Sequence, residues 1–273
     1  MENSSFQLSC KVSGIERKVT AAVIAAALST EASYSGAPRF SYQAGGWTVD
    51  REGMVLTPET PIGEKDSIRP VLDALKTAGA SVEGNATVTV SLDGHNGITL
   101  KNLVNLIYCK QALIQKSLAF QEDIIPESFV KIINSVMMET LGELADLINT
   151  AIDNGQIQGE SQLNFDLAER TISFSFANAT LDADEVLAFL SLCWQLNEQA
   201  RKQKFSSAKQ KDTDNDKFSF RVWLIRLGFV GAAFATDRKV LLARLSGDAA
   251  FRTETARQAA EAKRKAKQVR ADA

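Results

Sequence analysis

The chain has 273 residues, with 31 Lys+Arg against 33 Asp+Glu and a formal net charge of −2. At 45% hydrophobic and 23% charged residues it is neither a disordered nor a collagenous sequence, and near-zero charge gives no global pull toward nucleic acid or anionic membrane. One histidine, His95, and three cysteines without CxxC spacing, Cys10, Cys109 and Cys193, exclude a His-pair or Cys-rich zinc centre. The scattered, odd cysteine count suits a reducing cytoplasm. Residues 1–18 carry an early acid, Glu2, and no uninterrupted apolar stretch, so no signal peptide is expected. The most apolar run, Val19 to Leu28, is half the length of a membrane span, which needs about twenty residues.

In chain order, residues 6–12 alternate, with Leu8, Cys10 and Val12 on one side and Gln7, Ser9 and Lys11 on the other, which is strand period. Gly14 breaks the run, and Ala-rich Arg17 to Leu28 predicts a helix. Residues 33–50 hold Tyr34, Gly36, Pro38, Gly45, Gly46 and Trp47, the composition of turns and short strands. Met54 to Thr57 is a short strand ending at Pro58. Ile68 to Ala78 is amphipathic and helical, stopped by Gly79. Thr87 to Leu92 alternates cleanly, with Val88, Val90 and Leu92 on one face. Thr99 to Phe120 predicts one long helix and Phe129 to Leu147 further helix, followed by a polar loop from Asn154 to Gly159.

Thr171 to Phe176 repeats the strand pattern, with Ile172, Phe174 and Phe176 on one side. Leu181 to Ala200 predicts a helix, Lys202 to Lys217 a charged linker without an apolar face, and Phe218 to Leu227 and Arg238 to Leu245 two more helices. Beyond Thr253 the chain is Ala, Glu, Lys and Arg without a hydrophobic stripe, a solvated basic helix or disorder. Strands separated by helices point to an α+β fold with one main sheet. The expected organisation is a sheet-and-helix core over residues 1–200, a linker over 201–217, a helical C-terminal part of the same domain over 218–252, and the tail over 253–273.

Three strands each set an apolar face beside small polar groups: Ser9 and Lys11, Thr87 and Thr89, Ser173 and Ser175. The apolar faces must be covered by helices. The polar faces either line one concave surface or form a half-solvated sheet face in which Ser and Thr are simply good strand formers.

Four stretches stand out by their order and spacing: Asn178 to Leu181 before a helix, Thr213 to Gly228, Gly97 to Asn105 opening a helix after a strand, and the first strand with the Gly14-Ile15 turn, Tyr34, Gly36 and Trp47. In these the chain resembles the amidoligase family of carboxylate–amine ligases, which are related in fold to glutamine synthetase and often encoded on mobile elements. The resemblance implies an antiparallel sheet with helices packed on one face. It also implies an ATP- and Mg-dependent reaction in which a carboxylate becomes an acyl phosphate that an amine attacks.

The family's ligands would sit on strands as Glu-x-Glu, a further Glu, His-x-His and Glu-x-Arg. Here those positions hold Ser9 and Lys11, Met54, Thr87 and Thr89, and Ser173 and Ser175, so no catalytic or metal-ligating residue of the family is retained. Asp182 also stands where the family often has His, and Gly231 to Thr236 lacks the family's charged residues. A Lys at a metal-ligand position repels the ion, because unit charges ~4 Å apart at an effective dielectric of ~20 interact by roughly 4 kcal/mol.

The expectation is therefore an inactive member, a pseudoenzyme with a binding role, needing no cofactor although Mg and ATP serve the family. The alternatives are an active ligase with relocated metal ligands, for which Asp93, Asp166 and Asp182 are the nearest substitutes, and an interaction protein acting through its charged C-terminal segment. Expected partners are a small-molecule or protein ligand, no membrane, and no nucleic acid apart from a weak contact by the basic tail. His95 reads as an exposed loop residue, the three Asp residues as turn or capping groups, and the cysteines with Trp194, Trp223 and Phe229 as core. Gly45-Gly46 is too short for a phosphate loop, and no GxxxxGK[ST] occurs.

Overall fold

The computed structural model describes residues 5–176, 179–253, 255–260 and 262–263. Asn178 and most of the basic tail (254, 261 and 264–273), for which the sequence suggested a contact surface and a solvated helix, lie outside the described residues. Among the described residues the chain runs β1 (Ser5–Ser13), α1 (Arg17–Ala27), β2 (Ser33–Ser35), β3 (Ser41–Ala44), β4 (Trp47–Val49), β5 (Met54–Leu56), β6 (Thr60–Pro61), a 3-10 segment (Ile62–Ile68), α2 (Arg69–Thr77) and β7 (Ser81–Ser91). It continues through α3 (Gly97–Tyr108), α4 (Gln111–Leu118), α5 (Glu127–Ser135), α6 (Leu141–Asp153), β8 (Leu163–Asp166), β9 (Thr171–Phe176), α7 (Ala183–Lys202), α8 (Asp216–Leu227) and α9 (Ala235–Ala243).

The strands form one antiparallel sheet in the order β2-β3-β4-β5-β1-β7-β9-β8, with β6 pairing to the start of β1. This is a mixed α+β architecture around a large antiparallel sheet. At its centre β1, β7 and β9 alternate as their sequences require: Phe6, Leu8, Cys10 and Val12, then Val88 and Val90, then Ile172, Phe174 and Phe176 are all buried. Helices cover that face, and the rings of Phe176 on β9 and Phe189 on α7 meet at 4.2 Å. Each such large side chain contributes roughly 1.5–3 kcal/mol on burial. A bulge between Cys10 and Lys11 shifts the register so that Lys11 faces Glu83, leaving Gly84 and Asn85 unpaired on β7.

Four expectations change. The helix expected over Thr99 to Phe120 is two helices, because the chain turns at Cys109-Lys110, where Lys110 leaves helical geometry at φ −126°, ψ 10°. The apolar spacing survives the turn, so periodicity alone cannot show it. Strand β8 lies in a stretch without clear alternation, and its Asp166 bonds the turn that follows. Strand β7 begins six residues before the alternating segment.

The fourth concerns the charged segment after α7, which lies against α3 and α4. Asn102 Nδ2 donates to Gln203 O at 2.8 Å, Asn105 Nδ2 to Ser206 O at 2.9 Å, and Gln210 Nε2 to Tyr108 O at 3.1 Å. Beyond it, Phe220, Leu224, Phe229 and Leu241 are fully buried in the same core as the sheet.

The C-terminal helices are also tied by charge. Lys65 Nζ lies 2.9 Å from Asp237 Oδ2 and 2.8 Å from Ser191 Oγ, and Ser191 donates to Asp237 at 2.6 Å. This buried triad joins the 3-10 segment, α7 and α9.

Candidate functional site

The seven positions where the resemblance would place ligands share one face of the sheet. On β1, Ser9 and Lys11 point away from the buried Leu8, Cys10 and Val12. The register then sets three rows across the strands. Met54, Lys11 and Glu83 stand side by side, as do Ser9, Thr87 and Ser175, and so do Gln7, Thr89, Ser173 and Asn164. Directly opposed side chains on neighbouring strands have Cβ atoms roughly 4.5–5.5 Å apart, so each row is one contact surface.

The contacts along the rows are neutral or internally compensated. Thr87 Oγ1 and Ser175 Oγ lie 3.3 Å apart, and Thr89 Oγ1 and Ser173 Oγ 3.1 Å. Lys11 Nζ pairs with Glu83 Oε1 at 3.0 Å. Gln7 donates from Nε2 to Thr57 O at 3.0 Å. Glu83 was invisible as a site residue in the sequence, because the bulge in β7 hides its alignment with Lys11.

Two hollows open on this face. One, about 700 Å³, lies between the Thr87, Ser173 and Ser175 hydroxyls and Ala145, Ile148 and Asn149 of α6, with Asp166 at its edge. The other, about 460 Å³, is lined by Gln7, Thr89, Ser91 and Thr171, with Glu59, Asp93, Glu169 and Arg170 around it. The polar faces of the strands thus line two separate hollows, to which Gln7, Thr87, Thr89, Ser173 and Ser175 contribute and Ser9 and Lys11 do not.

The carboxylates expected as substitutes are engaged in holding the chain. Asp93 pairs with Arg170 at 3.0 Å, which keeps its carboxyl below the usual range. Asp166 Oδ1 accepts from the amides of Ala168 and Glu169. Asp182 caps α7 through the amides of Asp184 and Glu185 and pairs with Lys76 at 2.9 Å, and the lysine is the main cause of its lowered pKa. Among the described residues no three His, Cys, Asp or Glu side chains are grouped so as to hold a metal ion.

His95 is not the exposed loop residue expected from sequence. It is 8% exposed, enclosed between α3 and α7. Its Nε2 lies 2.8 Å from Asn197 Oδ1. An amide oxygen only accepts, so Nε2 carries the proton and Nδ1 is left to the Thr99 hydroxyl at 3.0 Å. Burial is the main cause that pushes its pKa down to about 4. Of the cysteines, Cys10 and Cys193 are buried and Cys109 partly so. Burial raises all three thiols, that of Cys10 to about 12, so none is poised as a nucleophile. Trp223 and Phe229 are core, whereas Trp194 is only partly buried and lies under the Arg201 guanidinium.

Residues 54–197 match the model of a family described as putative amidoligase enzyme. The matched stretch includes β5, β7 and β9 and hence Met54, Thr87, Thr89, Ser173 and Ser175. It begins after Ser9 and Lys11, which join the site through the pairing of β1 with β5 and β7. It ends before the Thr213 to Gly228 stretch. No curated protein matches the chain. Among the described residues no helix is long and apolar enough to cross a membrane. With more than half of its length matched, the chain belongs to the amidoligase family.

Proposed function

We propose that this chain is a non-catalytic member of its family that binds an uncharged, hydrogen-bonding ligand on the polar face of the sheet. The family match supports a ligase-like origin, and the fold we infer is glutamine-synthetase-like. The observation that carries the reading is the set of rows across β5, β1, β7 and β9. Where the family would supply carboxylates and imidazoles, the register assembles Ser9, Thr87 and Ser175, then Thr89 and Ser173, beside the Lys11–Glu83 pair and Met54.

Mg²⁺ with ATP is a poor match to that surface. A hard divalent ion takes carboxylate and phosphate oxygens and holds its waters tightly, and hydroxyls are weak neutral ligands. The ammonium of Lys11 sits in the row nearest the only carboxylate of the three rows, Glu83, and neutralises it. The hydroxyls of Thr87, Ser173 and Ser175, with Asn149 and Asn164, suit a ligand that donates and accepts hydrogen bonds without net charge, held in the 700 Å³ hollow. A cytoplasmic location belongs to this proposal, on the strength of three unpaired thiols.

The reading is tested by calorimetric titration of Mg-ATP into the unmodified chain and into a variant carrying Ser9→Glu, Lys11→Glu, Met54→Glu, Thr87→His, Thr89→His, Ser173→Glu and Ser175→Arg. We expect no measurable affinity in the first and recovered Mg-dependent binding in the second. Micromolar binding by the unmodified chain would overturn the inactive reading. Absence of any gain in a folded variant would overturn the assignment of these positions. Single restorations are expected to fail, since residues that act as a unit are strongly non-additive.

A further inference from the structure

A further concave surface lies away from the polar sheet face. A groove of about 1240 Å³ runs between the corner joining α3 to α4, the segment before α8, α8 itself and the chain after Gly247. A smaller hollow of about 340 Å³ continues it along the start of that segment, and the two share Lys110, Lys211, Trp223 and Arg226. Six cations line the pair (Lys110, Lys209, Lys211, Arg226, Arg252 and Arg257) against three carboxylates, Asp212, Asp214 and Asp248. That excess is notable in a chain of net charge −2.

Of those cations, Lys110, Lys209, Lys211, Arg226 and Arg252 have no ion-pair partner among the described residues. Nearby Lys116 shows what a compensated cation looks like here, paired with Asp216 at 2.7 Å. Asp248 is already engaged by the amides of Ala250 and Phe251. The groove therefore presents positive charge drawn from four separate parts of the chain.

Its walls are fixed without a ligand. Ser206 O and Gln203 O are held by Asn105 and Asn102, and Gln210 bonds Tyr108 O. On the other side Asn215 Nδ2 donates to Phe251 O at 2.8 Å, and Lys217 N to Ser246 O at 2.9 Å. Gly247 lies so near Asn215, at φ +97°, that a Cβ there would sit 2.3 Å from Asn215 Oδ1. Aromatic rings stand among the charges. Phe205 is 73% exposed, Phe218 and Phe251 are partly exposed, and Trp223 forms part of the floor.

We propose that this groove binds single-stranded nucleic acid, its cations following the phosphates and Phe205, with its neighbouring rings, stacking on bases. Unpaired cations interleaved with open aromatic faces are what such binding requires. A duplex keeps its bases stacked inside and would leave the rings unused. An acidic peptide would use the charge but not the rings.

The test is fluorescence anisotropy of the full chain with a labelled mixed-sequence single-stranded DNA of about a dozen nucleotides. We expect affinity to fall with salt with a log–log slope of about −3, as about four phosphate contacts at ~0.7 each imply. Lys110→Glu with Lys211→Glu and Arg226→Glu should weaken binding at least ~100-fold, while Lys18→Glu on exposed α1 should leave it unchanged. Phe205→Ala should cost ~10-fold for the strand and nothing for polyglutamate. Lys211→Glu and Arg226→Glu, each at an exposed position, serve singly if the triple variant fails to fold. Equal affinity for the matching duplex, equally strong competition by polyglutamate, or full binding by the charge-reversed variants would overturn the proposal.

Discussion

His95 shows how far one side chain's setting can depart from its sequence context. It follows Gly94 in a turn after β7, where a solvated residue is the ordinary outcome, yet Asn197 of α7 and Thr99 of α3 enclose it. The neutral ring is favoured in the fold, with a pKa near 4 against an ordinary 6.5. The unfolded chain therefore binds a proton between these values that the native chain does not. Stability contributed by the neutral ring is complete above about pH 6.5 and is lost as pH falls toward 4. The expected loss is on the order of 3 kcal/mol, from about 1.4 kcal/mol per pKa unit. Urea unfolding at pH 7 and at pH 5 should show roughly 2 kcal/mol of it, the rest being lost closer to pH 4, and His95→Gln should flatten the difference. Because this is the only histidine, a slope that persists unchanged in the variant would refute the assignment.

At the scale of elements, what was legible in the sequence is the alternating strands, and what was not is whatever depends on a partner far along the chain. The buried faces of β1, β7 and β9 follow from period two, and Val90→Ala or Phe174→Ala should each cost roughly 2–5 kcal/mol in chemical denaturation. The helix expected across Cys109-Lys110 failed because the turn preserves apolar spacing. The segment over 201–217 reads as a charged linker because its contacts with α3 are made through the carbonyl oxygens of Gln203 and Ser206 and the polar side chain of Gln210, and their partners on α3 look like ordinary positions of that helix. The triad of Lys65, Ser191 and Asp237 is equally hidden. Its members lie 126 and 46 residues apart along the chain, and nothing in their local sequence distinguishes them.

Asp237→Ala should be among the most damaging single changes in the C-terminal helices. It leaves Lys65, whose side chain is 15% exposed, without its counter-charge, and breaking one side of a buried pair costs roughly 3–5 kcal/mol. Asp237→Ala with Lys65→Met, which removes both charges, should recover most of that loss. A single-variant cost below about 1 kcal/mol, as for a surface pair, would mean that the triad does not tie α9 to α7. By contrast, ending the chain after Thr253 should shift the thermal midpoint by no more than a few degrees. Asn215 anchors the chain at Phe251 and Arg252, ahead of the cut, and a 1 kcal/mol loss moves the midpoint of a domain this size by only about 2–4 °C.

For the whole molecule, the sheet face raises the relation between stability and chemistry. A catalytic centre that gathers carboxylates stores repulsion which a metal relieves, and a chain without such carboxylates, as we propose for this one, keeps the scaffold without that strain. The row of Met54, Lys11 and Glu83 lets this be measured with two substitutions. Lys11→Glu with Met54→Glu would set three carboxylates abreast. Lys11 and Glu83 are 41% and 59% exposed, so the lost ion pair itself is worth at most about 1 kcal/mol. Added repulsion in the row should bring the total destabilisation to roughly 1–3 kcal/mol at low salt. Millimolar Mg²⁺ should then restore part of it, because an ion that binds only the folded state stabilises it by RT ln(1 + [L]/Kd). The unmodified chain should show no such gain. Urea unfolding of both proteins with and without Mg²⁺ decides the matter, with Ca²⁺ as a second hard ion. If the double variant is destabilised but indifferent to both ions, the three positions do not converge as the strand register requires. If it is not destabilised at all, the face is too well solvated to have ever held a metal in this way.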